Sequence, residues 1–342
     1  MTVQTVAHID GEPVREATLN DGKGFVAKII EWGAVLRDLT VPMREGPRRV
    51  VLGFEDAADY PAHSPNFGAT AGRCANRISD ARFILDGQEV QVDRNMAGRD
   101  HLHGGGAGFG NRVWRITEVR EDAVTLRLSS PDGDMGYPGA CEAQVVYQLT
   151  APATLRIEMT AKVDQPSPVN LAHHSYFNLA DAGAGPIDDH RLAVMADHYT
   201  PLNDRMTPTG EIRTVAGTEY DFCTPRLVRH TAPDGSMFLY DINFVLNRPR
   251  DKSLFHAATL TSPNGDLSLE AHTSESGLQI YDGSKVSPAI PGLGGVQYGA
   301  RSGLCLEAQL FPDAVNFSHF PDPILRPGET YRQITEYRFQ AG

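Results

Sequence analysis

No stretch of about 18 or more consecutive apolar residues occurs, so no membrane-spanning helix and no membrane partner are expected. Met1 to Val14 lacks a basic segment followed by an apolar one, which removes the case for a secretory leader and makes the cytoplasm the expected compartment. Cysteine is scarce. Cys74, Cys141, Cys223 and Cys305 lie far apart with no C-x-x-C pair, which spells neither a zinc knuckle nor a redox motif. They are expected to be reduced and mostly buried. Positive charge is also short, with 31 Lys and Arg against 43 Asp and Glu for a formal charge of −12. Affinity for a phosphate backbone rests on clustered cations, and the only basic knot is Pro47-Arg48-Arg49, so a nucleic-acid partner is excluded.

Turn residues are plentiful. The 33 glycines and 23 prolines fall at short intervals instead of collecting in one linker, which favours many short strands. From Leu155 to Val163 apolar and polar residues alternate without a fault, the period of a half-buried strand. Ala143, Val145, Tyr147 and Leu149 form a second such run, and Val124, Leu126 and Leu128 a third. Hairpins are expected around Asp86-Gly87, between Phe83 and Val90, and across Pro263-Asn264-Gly265, between Ala258–Thr261 and Leu267–Ala271. No amphipathic helix of 10 to 15 residues recurs between strands, which disfavours a parallel sheet. Without repeats or a shift in composition, the expectation is an all-β chain with few short helices, one large antiparallel domain over residues 1–342.

Titratable residues gather among glycines and aromatics at His101-Leu102-His103-Gly104, His173-His174-Ser175-Tyr176, Asp241-Ile242-Asn243 and Leu306-Glu307-Ala308-Gln309. A metal centre is one reading, because His-x-His on a strand sends both imidazoles to one face. Such a centre usually takes a carboxylate from the same hairpin, and Gly104 to Gly110 supply none. A serine nucleophile lacks its G-x-S-x-G turn, and the glycines at 104–106 lack the following Lys-Ser/Thr of a phosphate loop. General acid–base chemistry uses the same residues with no metal and no cofactor: an imidazole and a carboxylate held apart by a small substrate can move two protons.

Six segments, four of them around these residues, share an order. Gly72-Arg73-Cys74-Ala75-Asn76-Arg77-Ile78, Leu102-His103-Gly104-Gly105, His174-Ser175-Tyr176-Phe177-Asn178-Leu179, Tyr240-Asp241-Ile242-Asn243, Leu278-Gln279-Ile280-Tyr281 and Cys305-Leu306-Glu307-Ala308-Gln309 follow one another as they do in aldose 1-epimerases. The chain resembles that family from about Gly33 to Tyr331. The resemblance implies a large antiparallel β-sandwich of the galactose-mutarotase type that interconverts the α and β anomers of a free sugar without a cofactor. It implies Glu307 as general base and His174 as general acid, with His103 and Arg77 beside the ring oxygen and neighbouring hydroxyls. Asn76, Tyr176, Asp241 and Gln279 complete the implied monosaccharide pocket. Ile280 stands where an aromatic is common in the family and Asp282 where threonine is frequent. His101 is expected to be an exposed loop residue and His173 a support for the site.

Two other functions fit parts of this pattern. A sugar 6-phosphate epimerase needs a cluster of cations near the pocket, and nothing beyond Arg73 and Arg77 is an obvious candidate, so the neutral sugar is preferred. A non-catalytic carbohydrate-binding sandwich needs neither the base nor the acid, and this chain keeps both Glu307 and His174.

Overall fold

The computed structural model describes residues 1–232, 234–248 and 253–342. The alternating runs become a nine-stranded antiparallel sheet. Arg115–Val119, Ala123–Ser130, Cys141–Thr150, Thr154–Val163, Tyr331–Ala341, Leu267–Thr273, Phe255–Thr261, Arg191–Val194 and Arg226–Leu227 lie side by side in that order. Thr154–Val163 pairs on one side with Cys141–Thr150 and on the other with the C-terminal strand, so the chain's end is built into the middle of the sheet. Both expected hairpins form, Arg82–Leu85 with Gln88–Gln91 and Phe255–Thr261 with Leu267–Thr273. The first turns at Asp86 and Gly87, whose φ values of 48° and 82° suit the mirror-image turn that matches strand twist.

A second, six-stranded antiparallel sheet carries the site. Its order is Tyr176–Phe177, Leu304–Gln309, Gly277–Tyr281, Asp241–Val245, His198–Thr200 and Arg213–Thr214. Successive side chains of a strand point to opposite faces. Ile242, Phe244, Leu278, Ile280, Leu304 and Leu306 therefore enter one apolar core with Tyr147, Leu155, Ile157, Leu269 and Tyr337 of the large sheet. Packed sheets joined by one core are a sandwich. The Tyr337 hydroxyl crosses the layer to donate to the Leu306 carbonyl at 2.8 Å. A five-stranded sheet of the first strands, Thr2–Ile9 to Gly46–Arg49, completes the larger layers. Among the described residues helix is confined to Tyr60–His63 and short 3-10 turns, and none is long and apolar enough to cross a membrane. Cys74, Cys141 and Cys305 are buried, and Cys223 is exposed.

Candidate active site

Alternation fills the opposite face of the six-stranded sheet with polar groups. Glu307 lies directly across from Gln279, and Gln279 across from Asn243, while Asp241 pairs with Tyr281. Leu304–Gln309 is buried along its whole length, so both faces of this strand are covered and its polar residues are enclosed. The Asp241 carboxylate accepts from Gln279 Nε2 at 2.6 Å through one oxygen and from an Arg77 guanidinium nitrogen at 2.9 Å through the other. Arg77 also reaches Asn76 Oδ1 at 3.4 Å. Gln309 extends the network toward Asn243 Oδ1 at 3.4 Å.

The histidines enter from other elements. His174 ends the short strand Ala172–His174, which pairs with Ala69–Ala71, and stacks on Tyr176 at a centroid distance of 5.1 Å. The Tyr176 hydroxyl donates to the Pro65 carbonyl at 2.9 Å. His103 follows the strand His101–Leu102, which pairs with Arg77–Ile78. Both Asn76 (φ 61°) and His103 (φ 50°) take left-handed conformations, and the His103 N–H donates to the Asn76 carbonyl at 2.9 Å. The turn at His103 breaks the strand after Leu102, so the two imidazoles of His-x-His do not share a face. His101 corrects the expectation of an exposed loop residue. It is fully buried, with Nδ1 2.6 Å from the Asp93 carbonyl and Nε2 2.6 Å from the Tyr137 hydroxyl. His173 points away from the site toward Ser175 Oγ (2.7 Å) and Tyr147 (3.3 Å).

His174 Nε2 and Glu307 Oε2 face each other at 3.6 Å, too far for a direct hydrogen bond. Glu307 Oε2 is buried and has no hydrogen-bond partner. Burial, reinforced by the Asp241 charge, pushes the Glu307 carboxyl well above its ordinary value, against the pull of Arg77. Burial also pushes His174 down to about 4 and His103 well below 6.5, the latter with help from His174 and Arg77. Burial thus disfavours the charged form of both facing groups.

His103, His174 and Glu307 each offer a ligand atom within 4.8 Å of the others, a spacing that suits a cation. The hydrogen bonding does not. A metal-bound imidazole passes its second N–H to an acceptor, whereas His103 Nδ1 accepts from the Asn76 N–H at 3.2 Å. That bond puts the proton of neutral His103 on Nε2, making its free nitrogen a hydrogen-bond donor.

Several sequence expectations separate here. Asn76, Arg77, His103, His174, Tyr176, Asp241, Gln279 and Glu307 come together. Arg73 does not join them, since its guanidinium is buried against the Pro138 and Gly139 carbonyls and the Ser130 and Ser167 hydroxyls. Ile280 faces the core between Ile242 and Leu306, on the side opposite Gln279 and Glu307. Asp282, fully buried, pairs with Arg301 and accepts the Tyr240 N–H at 3.0 Å, bracing the strand end beside Asp241. Asn243, Cys305 and Gln309 were not singled out as site residues. The alternation of Leu304–Gln309 would have placed Cys305 and Gln309 on the face of Glu307.

A carboxyl set against an imidazole, walled by hydrogen-bonding side chains on a β-sandwich, is an arrangement suited to acid–base chemistry. The family model described as aldose 1-epimerase matches residues 15–338. Galactose mutarotase of Bos taurus is 39% identical over 312 residues, covering 91% of this chain and 90% of its own. Aldose 1-epimerase of Escherichia coli (strain K12) is 36% identical over 339 residues, covering 97% of each. Among solved structures, the aldose epimerase homologue from C. elegans superimposes with a TM-score of 0.89 at 29% identity, covering 95% of this chain and 98% of that one. The chain belongs to the aldose 1-epimerase family, whose members are isomerases.

Proposed function

We propose that this aldose 1-epimerase interconverts the anomers of free aldoses such as galactose, glucose, xylose or arabinose, with Glu307 as base and His174 as acid. The observation that carries these roles is the buried, partnerless Glu307 oxygen 3.6 Å from His174 Nε2. Glu307 takes the proton from the hydroxyl on C1 while the His174 imidazolium gives one to the ring oxygen. The C1–O5 bond breaks and an aldehyde forms. Rotation about C1–C2 turns the other carbonyl face to the hydroxyl, and reclosure returns each proton to its donor. Burial alone favours the neutral forms of both groups; the charged pair needed for the first step is favoured by their mutual attraction and by the sugar hydroxyls that replace water.

The remaining residues suit a neutral, polyhydroxylated ligand. His103 offers its Nε2–H, Asp241 accepts, and Gln279 and Asn76 both give and take. Tyr176 lends an aromatic wall. Arg77 pairs with Asp241, and both terminal nitrogens of Arg73 are held by the Pro138 and Gly139 carbonyls and the Ser130 and Ser167 hydroxyls, which favours a neutral sugar over a 6-phosphate. A non-catalytic module has no use for a costly buried carboxylate without a partner. We take residues 1–342 as one domain, supported by a core cluster with members from Ala17 to Phe339. We place the enzyme in the cytoplasm, where its four free thiols stay reduced.

The test is polarimetry of freshly dissolved α-D-galactose, α-D-glucose and α-D-xylose with catalytic amounts of enzyme, with and without EDTA. Accelerated approach to the equilibrium rotation, unchanged by EDTA, is expected. No acceleration with any of these sugars, despite binding by calorimetry, would overturn the proposal.

A further inference from the structure

The acid–base roles leave one polar neighbour of His174 unexplained. Cys305 lies two residues before Glu307 on the same strand and hence on the same face. Its Sγ is 3.5 Å from His174 Nδ1, while Glu307 Oε2 is 3.6 Å from Nε2. One strand therefore addresses both nitrogens of one imidazole. Cys305 is fully buried and flanked by Tyr176 and Tyr281, its pairing partners on either side. Burial, with the charges of Glu307 and Asp241, raises this thiol well above its ordinary value, so it stays protonated.

The group facing one imidazole nitrogen decides whether the other carries the exchangeable proton. Where a carboxylate faces Nδ1, as in serine hydrolases, it holds the tautomer and also stabilises the imidazolium. A thiol is only a weak acceptor and a weak donor. The groups facing His174 are Glu307 and Cys305 from Leu304–Gln309, Asp241 from the next strand but one, His103 at a ring distance of 5.3 Å, Tyr176 stacked on it and His173 beside it in the chain. The Asp241 charge and the backbone carbonyl of His174 itself favour the protonated ring, and burial opposes them.

We propose that Cys305 is a positioning residue: its sulfur accepts the Nδ1–H of His174, so that Nε2 exchanges the proton with the substrate, and its weakness as an acceptor keeps the imidazolium a strong acid. This deepens, and rests on, the reading of His174 as the acid. In ring opening the proton leaves Nε2 for the ring oxygen and Nδ1–H stays in place; on reclosure it returns. The thiol neither gains nor loses a proton.

Cys305→Ser and Cys305→Ala in the full-length chain test this in two independent ways. The first is nitrogen NMR of ring-labelled histidine in the free protein, which reads the His174 tautomer and titration midpoint without reference to catalysis. The second is polarimetric kcat and KM for α-D-galactose across pH 5 to 9. Serine, a stronger acceptor, is expected to move the His174 midpoint and the alkaline limb of kcat to higher pH with KM within about 2-fold of wild type. Alanine is expected to lower kcat by about 5-fold, the size of one net hydrogen bond, and to populate the Nε2–H tautomer in the free protein. An unchanged tautomer and pH profile in both variants, or a change in KM alone, would overturn the role of Cys305. Should alanine fail to fold, the serine variant decides. Full activity in His174→Asn would refute His174 as the acid, a failure distinct from that of the tautomer measurement.

Discussion

The two faces of the strand Leu304–Gln309 are equally buried and chemically opposite. Leu304, Leu306 and Ala308 meet the large sheet in an apolar core, whereas Glu307 and Gln309 face amides, imidazoles and carboxylates, and Cys305 sits between His174 and an aromatic cluster. The first face stabilises the fold by removing apolar surface from water. The second costs stability, since Glu307 Oε2 and Gln309 Oε1 are buried without partners. Within this strand the two faces therefore differ in the expense they carry, not in their exposure.

Substitutions at neighbouring positions should separate the two faces. Glu307→Gln and His174→Asn are each expected to lower kcat by at least ~10²-fold, the loss of a general base or acid. Thermal unfolding of Glu307→Gln should be no lower than wild type, because an uncompensated buried carboxylate is gone. A Tm several degrees below wild type in that variant would contradict the contrast. One residue away, Leu306→Ala should do the reverse: about 2–5 kcal/mol less stability in denaturant titrations, with kcat/KM of the folded protein close to wild type. Asp241→Asn should raise KM for galactose about 10-fold, roughly 1.4 kcal/mol of lost binding, because either Arg77 or Gln279 then meets an amide NH2 in place of an acceptor oxygen and the negative charge beside Arg77 is gone. A larger fall in kcat than rise in KM would move Asp241 into the proton transfer itself.

The smallest expected effect is on stability against pH. His174 has its folded value depressed to about 4, so its contribution is fully present above the ordinary value of 6.5 and is lost as pH falls through 4. Glu307 is raised, so its contribution is present below the ordinary carboxylate value and fades as pH climbs through the elevated one. Calorimetric Tm should therefore fall more gently between pH 6.5 and 4 in His174→Asn than in wild type. Identical slopes would mean that His174 is not held neutral in the folded state. Activity should follow a bell whose limbs belong to the pair as a unit, and a flat profile from pH 5 to 9 would count against it.

Much of the fold was legible in the chain. The run from Leu155 to Val163 became the strand Thr154–Val163, and the turn residues Asp86-Gly87 and Pro263-Asn264-Gly265 closed hairpins where expected. Turn chemistry and period-2 alternation are local properties, carried by a few adjacent residues. His101 shows where locality ends: nothing near it in sequence announces Tyr137, which seals its ring from solvent. Arg73 is similar, since only the folded chain brings Ser130, Gly139 and Ser167 around it and withdraws it from the pocket.

By itself the sequence determined which residues sit on alternate faces of each strand, and through six ordered motifs it named the family and, by resemblance, the side chains proposed to bind a sugar. Only the tertiary structure decided that Glu307 loses its water, that His174 faces it at 3.6 Å while Cys305 touches the other nitrogen, and that Asn76 forces the proton of His103 onto Nε2. Periodicity is written in neighbouring residues, but desolvation and proton placement depend on groups brought together from distant parts of the chain, and those exist only once the sheets have packed.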